Sequence, residues 1–290
     1  MVCASLPHLQ RTVEYGLQRT ELVLIAPEEI APVREFVTAN NLLLGFHAPA
    51  FRREDFPFRP LLCALVDPDS ERRELSLGLW EDNLRTAREW GARYMVAHTQ
   101  RPMQLLGENP PAGFDETEAL AIGIETGKRL AELSDRYQVS VFIENSVANP
   151  SFCQAESYVA LCEAVPSLRL CLDIWHLFLD AAKYGLDAVQ FARTVATYVG
   201  TFHVYGNIVD EDFEFSDLPA RQALRKHPPH PSQDVEEGWL DNETILREVL
   251  SRQPEALVTF EVHYSMDVDR EHTREGLEWT RKVCLEARGS

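Results

Sequence analysis

The chain has 290 residues, 45% of them hydrophobic and 26% charged, a balance that supports a packed core and excludes a disordered or fibrous protein. Its 28 Lys and Arg against 46 Asp and Glu leave a formal charge of -18, a field that repels nucleic acid and anionic membranes unless basic residues gather on one face. Six cysteines without a C-x-x-C pair, an amino terminus lacking the basic-then-apolar order of a secretory signal, and no apolar run of membrane length predict a soluble protein in a reducing cytoplasm.

Short runs rich in Val, Ile, Leu and Phe occur at 2–5, 22–26, 42–47, 93–98, 139–144, 168–173, 201–204 and 256–262. Segments with helical spacing separate them, at 27–40, 74–91, 116–137, 187–198 and 241–251, and a last one covers 268–288. This alternation predicts parallel strands joined by crossover helices, and eight strands predict an α/β fold of the closed (β/α)8 TIM barrel type, with residues 1–290 as a single domain. The segment 206–238 is acidic at first, basic in its middle and turn-rich at its end, and is expected as a long lid loop or a solvated insertion.

Barrels of this kind place their chemistry at the C-terminal ends of the strands. Six of the eight apolar runs close there on a polar side chain: His47, His98, Glu144, Asp173, His203 and Glu261. One such residue is commonly a turn or helix cap, but six together point to a shared site. Glu144, Asp173, His203 and Glu261 come from consecutive strands, and carboxylates brought so close repel one another unless a divalent cation holds them ionised. A mixed oxygen and nitrogen set suits Mn, Mg, Co or Zn, and the sequence does not separate these. The alternative is a metal-free network of buried carboxylate and histidine hydrogen bonds.

The pattern resembles the xylose-isomerase-like barrels, which include tagatose-type sugar epimerases and abasic-site nucleases of the endonuclease IV type. The resemblance rests on the HAP triplet at His47, the run ending in His98, the Glu144–Asn145 pair, the CLDIWH segment containing Asp173 and His176, the FH pair at His203, the G-x-L-D at Gly238 and the FE pair at Glu261. Similarity to the epimerase branch implies one metal held by Glu144, Asp173, His203 and Glu261, with the two glutamates also moving protons at carbon and His176 contacting a substrate oxygen. Similarity to the nuclease branch implies a second metal, for which His47, His98, His176 and His230 are the candidates. Pro228 and Pro229 precede His230, so the Asp-x-His pair of that branch is missing, which argues against a full three-metal cluster.

Whether His47 and His98 bind a second metal or a sugar hydroxyl is the fork between the two branches. Arg52, Arg53, Arg59 and Arg101 follow the third and fourth strands and suit either a nucleic-acid backbone or one substrate phosphate. Phe51, Trp175 and Tyr205 are aromatic candidates for a wall against a sugar or base. No G-x-G-x-x-G after the first strand, no P-loop, no G-x-S-x-G elbow and no H-E-x-x-H helix occurs. The leading expectation is a divalent-metal-dependent isomerase or epimerase acting on a small sugar or sugar phosphate. An endonuclease IV-like phosphodiesterase is the alternative, and a barrel that binds a ligand without turnover the third. A homo-oligomer is compatible with the sequence, though nothing in it demands one.

Overall fold

A short strand followed by a helix repeats through the computed structural model, which describes residues 1–101, 103–147, 149–206, 228–261 and 270–289. The chain forms two compact units, one from Met1–Arg101, Pro110–Glu144 and Ala160–Arg169, the other from Pro102–Asn109, Asn145–Val159 and the described part of Leu170–Ser290. The first carries β1 (Val2–Cys3), α1 (Leu6–Glu14), β2 (Arg19–Leu22), α2 (Ile30–Ala39), β3 (Leu43–His47), α3 (Ser70–Trp90), β4 (Tyr94–His98), α4 (Glu116–Tyr137) and β5 (Ser140–Glu144). After α5 (Ala155–Ala164) and β6 (Arg169–Asp173), the second carries α6 (Ile174–Tyr184), α7 (Ala188–Val195), β7 (Val199–Val204), α8 (Asn242–Leu250), β8 (Leu257–Phe260) and α9 (Arg270–Gly289). All eight strands lie in one sheet in chain order, the (β/α)8 TIM barrel expected from the sequence.

In the first unit the strands pair in parallel with Leu22 opposite Phe46, His47 opposite Val96 and His98 opposite Glu144. In the second, Asp173 lies opposite His203 and Val204 opposite Phe260. Strand interiors are apolar and buried on both faces, as with Met95, Val96 and Ala97 or Leu170, Cys171 and Leu172, because in this fold helices cover the outer face of the sheet and side chains fill the inner one. Helix starts are set by aspartates: Asp69, Asp115, Asp173, Asp187 and Asp241 accept backbone N–H bonds at the heads of α3, α4, α6, α7 and α8. Each such cap contributes about 1 kcal/mol, so part of the acidic excess is structural. Among the described residues no helix is long and apolar enough to cross a membrane.

Four strands differ from the sequence expectation by two residues or more at one end or both: β1 stops at Cys3, β7 begins at Val199, β2 is displaced and β8 is shortened. The second strand occupies Arg19–Leu22, ahead of the apolar run at 22–26. Leu24 adopts φ 47 and Ile25 forms only an isolated bridge with Phe51, so the apolar stretch belongs to the loop. Polar Thr20 and Glu21 are instead fully buried strand residues. The last strand stops at Phe260 and leaves Glu261 just beyond it. Of the expected lid, residues 207–227 lie outside the described residues, while 228–238 are described.

Glu21 accepts a 2.7 Å hydrogen bond from the Tyr94 hydroxyl, and the Tyr94 ring lies over Gly45 on the intervening strand. A Cβ at Gly45 would fall against that ring, 2.7 Å from its hydroxyl oxygen. Because Glu21 holds the hydroxyl, the ring cannot swing aside. Gly45→Ala is expected to destabilise the fold by about 1–3 kcal/mol in urea unfolding, the usual range for overpacking a core. A stability equal to wild type would mean that the ring moves freely.

All six cysteines are buried free thiols. Burial pushes Cys63 and Cys284 up to about 11 and Cys162 up to about 12. At pH 8 the folded protein should resist a thiol reagent, and all six cysteines should react once it is denatured. Reaction with the folded protein would show that a thiol is accessible.

Candidate metal centre

The polar residues that close the strands have distinct surroundings in each unit. In the first, His47, His98 and Glu144 end β3, β4 and β5, and each offers a ligand atom within 4.8 Å of the others. Glu144 is 1% exposed, and its Oε2 meets His47 Nε2 at 2.9 Å and His98 Nε2 at 3.4 Å. His98 Nδ1 lies 2.7 Å from the Leu61 carbonyl oxygen. A carbonyl only accepts, so Nδ1 carries the proton in the neutral ring and Nε2 presents a lone pair towards a carboxylate oxygen. Two acceptors face each other there, an arrangement that a cation between them, or a further proton, resolves.

In the second unit, Asp173 ends β6 and caps α6, its Oδ1 accepting the His176 N–H at 2.7 Å. Its Oδ2 lies 3.7 Å from His203 Nδ1 and accepts no hydrogen bond among the described residues, although Asp173 is 0% exposed. Glu261 approaches His203 from the end of β8, with Oε2 3.3 Å from Nδ1. Asp173, His203 and Glu261 thus offer ligand atoms within 4.8 Å of one another. Two carboxylates sharing one buried imidazole carry more negative charge than that imidazole compensates, and hard oxygen donors with one nitrogen suit a divalent cation. The donor set therefore fits the metal that the sequence implied.

The remaining expected residues have other partners. His176 stands in the first turn of α6, and its Nδ1 donates to the Asn145 carbonyl over 2.8 Å, leaving Nε2 as an acceptor. Trp175 is 1% exposed and its ring centroid lies 5.3 Å from that of His176, so it is placed for packing against the imidazole. His230 joins neither of these groups of ligand atoms among the described residues. Its Nδ1 lies 2.7 Å from Ser232 Oγ, its Nε2 lies 3.0 Å from Glu275 on α9, and its ring stacks on His272 at 3.9 Å. Asn145 and the Leu61 carbonyl were not assigned roles from sequence. The Glu144–Asn145 dipeptide carried a signal for the first; a backbone carbonyl carries none.

These features define a (β/α)8 barrel with histidine and carboxylate donors at the C-terminal ends of its strands. The chain belongs to the xylose isomerase-like TIM barrel family, whose profile matches residues 10–283. Similar solved structures include a D-tagatose 3-epimerase-like protein, with a TM-score of 0.66 at 14% identity over 98% of this chain and 95% of that one. D-psicose 3-epimerase from Clostridium cellulolyticum H10, crystallised with D-tagatose, gives a TM-score of 0.65 at 13% identity over 96% and 93%. The IOLI protein with a bound zinc atom gives a TM-score of 0.65 at 13% identity over 98% and 93%. No curated protein matches the chain.

Asp173→Asn keeps the cap oxygen and removes the buried charge. Without metal, this variant is expected to melt no lower than wild type, because an unsatisfied buried anion is costly. Wild type should gain melting temperature on addition of Mn or Zn, by about 2.7 kcal/mol of linkage at a hundredfold excess over the dissociation constant, and the variant should gain little. Equal metal-induced shifts would remove Asp173 from the ligand set.

Proposed function

We propose that the protein is a divalent-metal-dependent isomerase or epimerase acting on a small sugar or sugar-like polyhydroxy carbonyl compound, in a reducing cytoplasmic setting and with the whole barrel as its catalytic domain. The metal ligands in this reading are Glu144, Asp173, His203 and Glu261. The observation that carries it is the fully buried Asp173 Oδ2, which accepts no hydrogen bond among the described residues and stands beside His203, itself shared with Glu261. The D-psicose 3-epimerase and the D-tagatose 3-epimerase-like protein among the similar structures support the substrate class.

When bound, the cation supplies Lewis-acid polarisation of a substrate carbonyl. The chain supplies the proton transfers: one of Glu144 and Glu261 takes the proton from the carbon beside the carbonyl, and the other returns a proton to carbon. His98 and His176 each have Nδ1 engaged by a backbone carbonyl, which makes Nε2 the acceptor nitrogen of each ring, the atom through which either would receive a substrate hydroxyl. Trp175 packs beside His176 and steadies that ring.

The test is a panel of ketoses and ketose phosphates in deuterated water, followed by mass spectrometry and metal analysis of gently purified protein. About one ion per chain and solvent deuterium at carbon are expected, and Glu144→Gln should lower turnover by about 10²–10⁴-fold with weakened metal binding. Unchanged turnover in Glu144→Gln would take it out of the mechanism.

A second reading has its own observation. His47, His98 and Glu144 could hold a further ion, as an endonuclease IV-like phosphodiesterase would require. Two or three ions per chain together with incision of an abasic-site oligonucleotide would replace the first reading. The charge of -18 weighs against that substrate.

A further inference from the structure

Asn145 follows Glu144 directly and is 3% exposed, yet its side chain does what a strand backbone does elsewhere in the sheet. Its Oδ1 accepts the Asp173 N–H at 2.7 Å, and its Nδ2 donates to the Asp173 carbonyl at 2.9 Å. A carboxamide has the donor and acceptor spacing of a peptide group, so it pairs with both main-chain groups of one residue. Its own carbonyl accepts from His176 Nδ1 at 2.8 Å. One residue therefore grips Asp173 by its backbone and, through its main chain, sets the tautomer of His176.

We infer that Asn145 is a positioning residue that aims the Asp173 carboxylate and holds His176 with Nε2 as an acceptor. Asp173 has little other freedom to correct an error. Its Oδ1 is committed to the His176 N–H, so a rotation of its backbone would carry Oδ2 away from His203. Residues that orient metal ligands from behind typically account for a 10–100-fold difference in metal affinity, although they touch neither metal nor substrate. The inference rests on the metal reading for its effect on affinity, but its effect on the His176 tautomer is independent of any metal.

The experiment uses the full chain as wild type, Asn145→Ala and Asn145→Asp. Mn(II) and Zn(II) affinities are measured by titration calorimetry, and the His176 ring nitrogens are observed by two-bond ¹⁵N NMR without metal. Wild type should show protonated Nδ1 and bare Nε2. Asn145→Ala keeps that carbonyl but loses the two side-chain bonds that anchor it to Asp173, so it should bind metal about 10–100-fold more weakly and let the loosened His176 ring populate both tautomers. Asn145→Asp keeps an acceptor for the Asp173 N–H but sets an oxygen against its carbonyl, and should lose at least as much.

Wild-type affinity together with a wild-type tautomer in Asn145→Ala overturns the inference. If wild type binds neither ion while Asn145→Ala still shifts the tautomer, the metal reading fails and the positioning role stands. If neither variant folds, a wild-type spectrum with Nε2 protonated overturns the inference and one with Nδ1 protonated supports it.

Discussion

Negative charge held out of water at the ends of parallel strands is the constraint on which the rest of this structure depends. Asp173 is the sharpest case, with no solvent contact, one oxygen used as a helix cap and the other lacking any hydrogen-bond donor among the described residues. The positive end of the α6 dipole offsets part of its charge, but only around the capping oxygen. What remains faces His203, which lies opposite in the sheet, while Asn145 commits its whole carboxamide to the main chain of the same aspartate. Glu144 shows the same economy, with two imidazoles directed at one carboxylate oxygen.

Much of this arrangement was legible before any coordinates. Strands that end in a histidine or acid after an apolar, buried centre keep their boundaries to within about a residue at β3, β4, β5 and β6, since burial on both faces confines polar residues to the strand ends. Legibility failed at β2, where the strand is polar and the neighbouring loop apolar. Glu21 is tolerated inside because Tyr94 donates to it, and that partner lies 73 residues away in sequence. For His230, a second-metal candidate only through the nuclease resemblance, nothing in the sequence pointed to its neighbours Glu275 and His272 on α9.

The tautomers of His98 and His176 were invisible for a different reason. They are set by carbonyl oxygens, which every residue possesses, so no residue type announces them. Hydrogen bonds from a ring nitrogen to the main chain fix which nitrogen of each imidazole carries the proton. The barrel itself hosts many unrelated activities. At 13–14% identity, likeness to a D-psicose 3-epimerase and a 3-epimerase-like protein shows the shared fold, and only local geometry distinguishes one activity from another.

The loop after β3 reaches His98 through main-chain groups: the Leu61 carbonyl meets the ring, and the Leu65 N–H donates to the His98 carbonyl at 3.1 Å. Leu61 can therefore change to most other residues without disturbing that imidazole, whereas a single insertion or deletion in the loop would move the carbonyl out of register. Relatives that have drifted far in composition can share one proton arrangement provided the loop keeps its length. Loop length, rather than residue identity, is then the trait to compare when the family is sorted by what its members do.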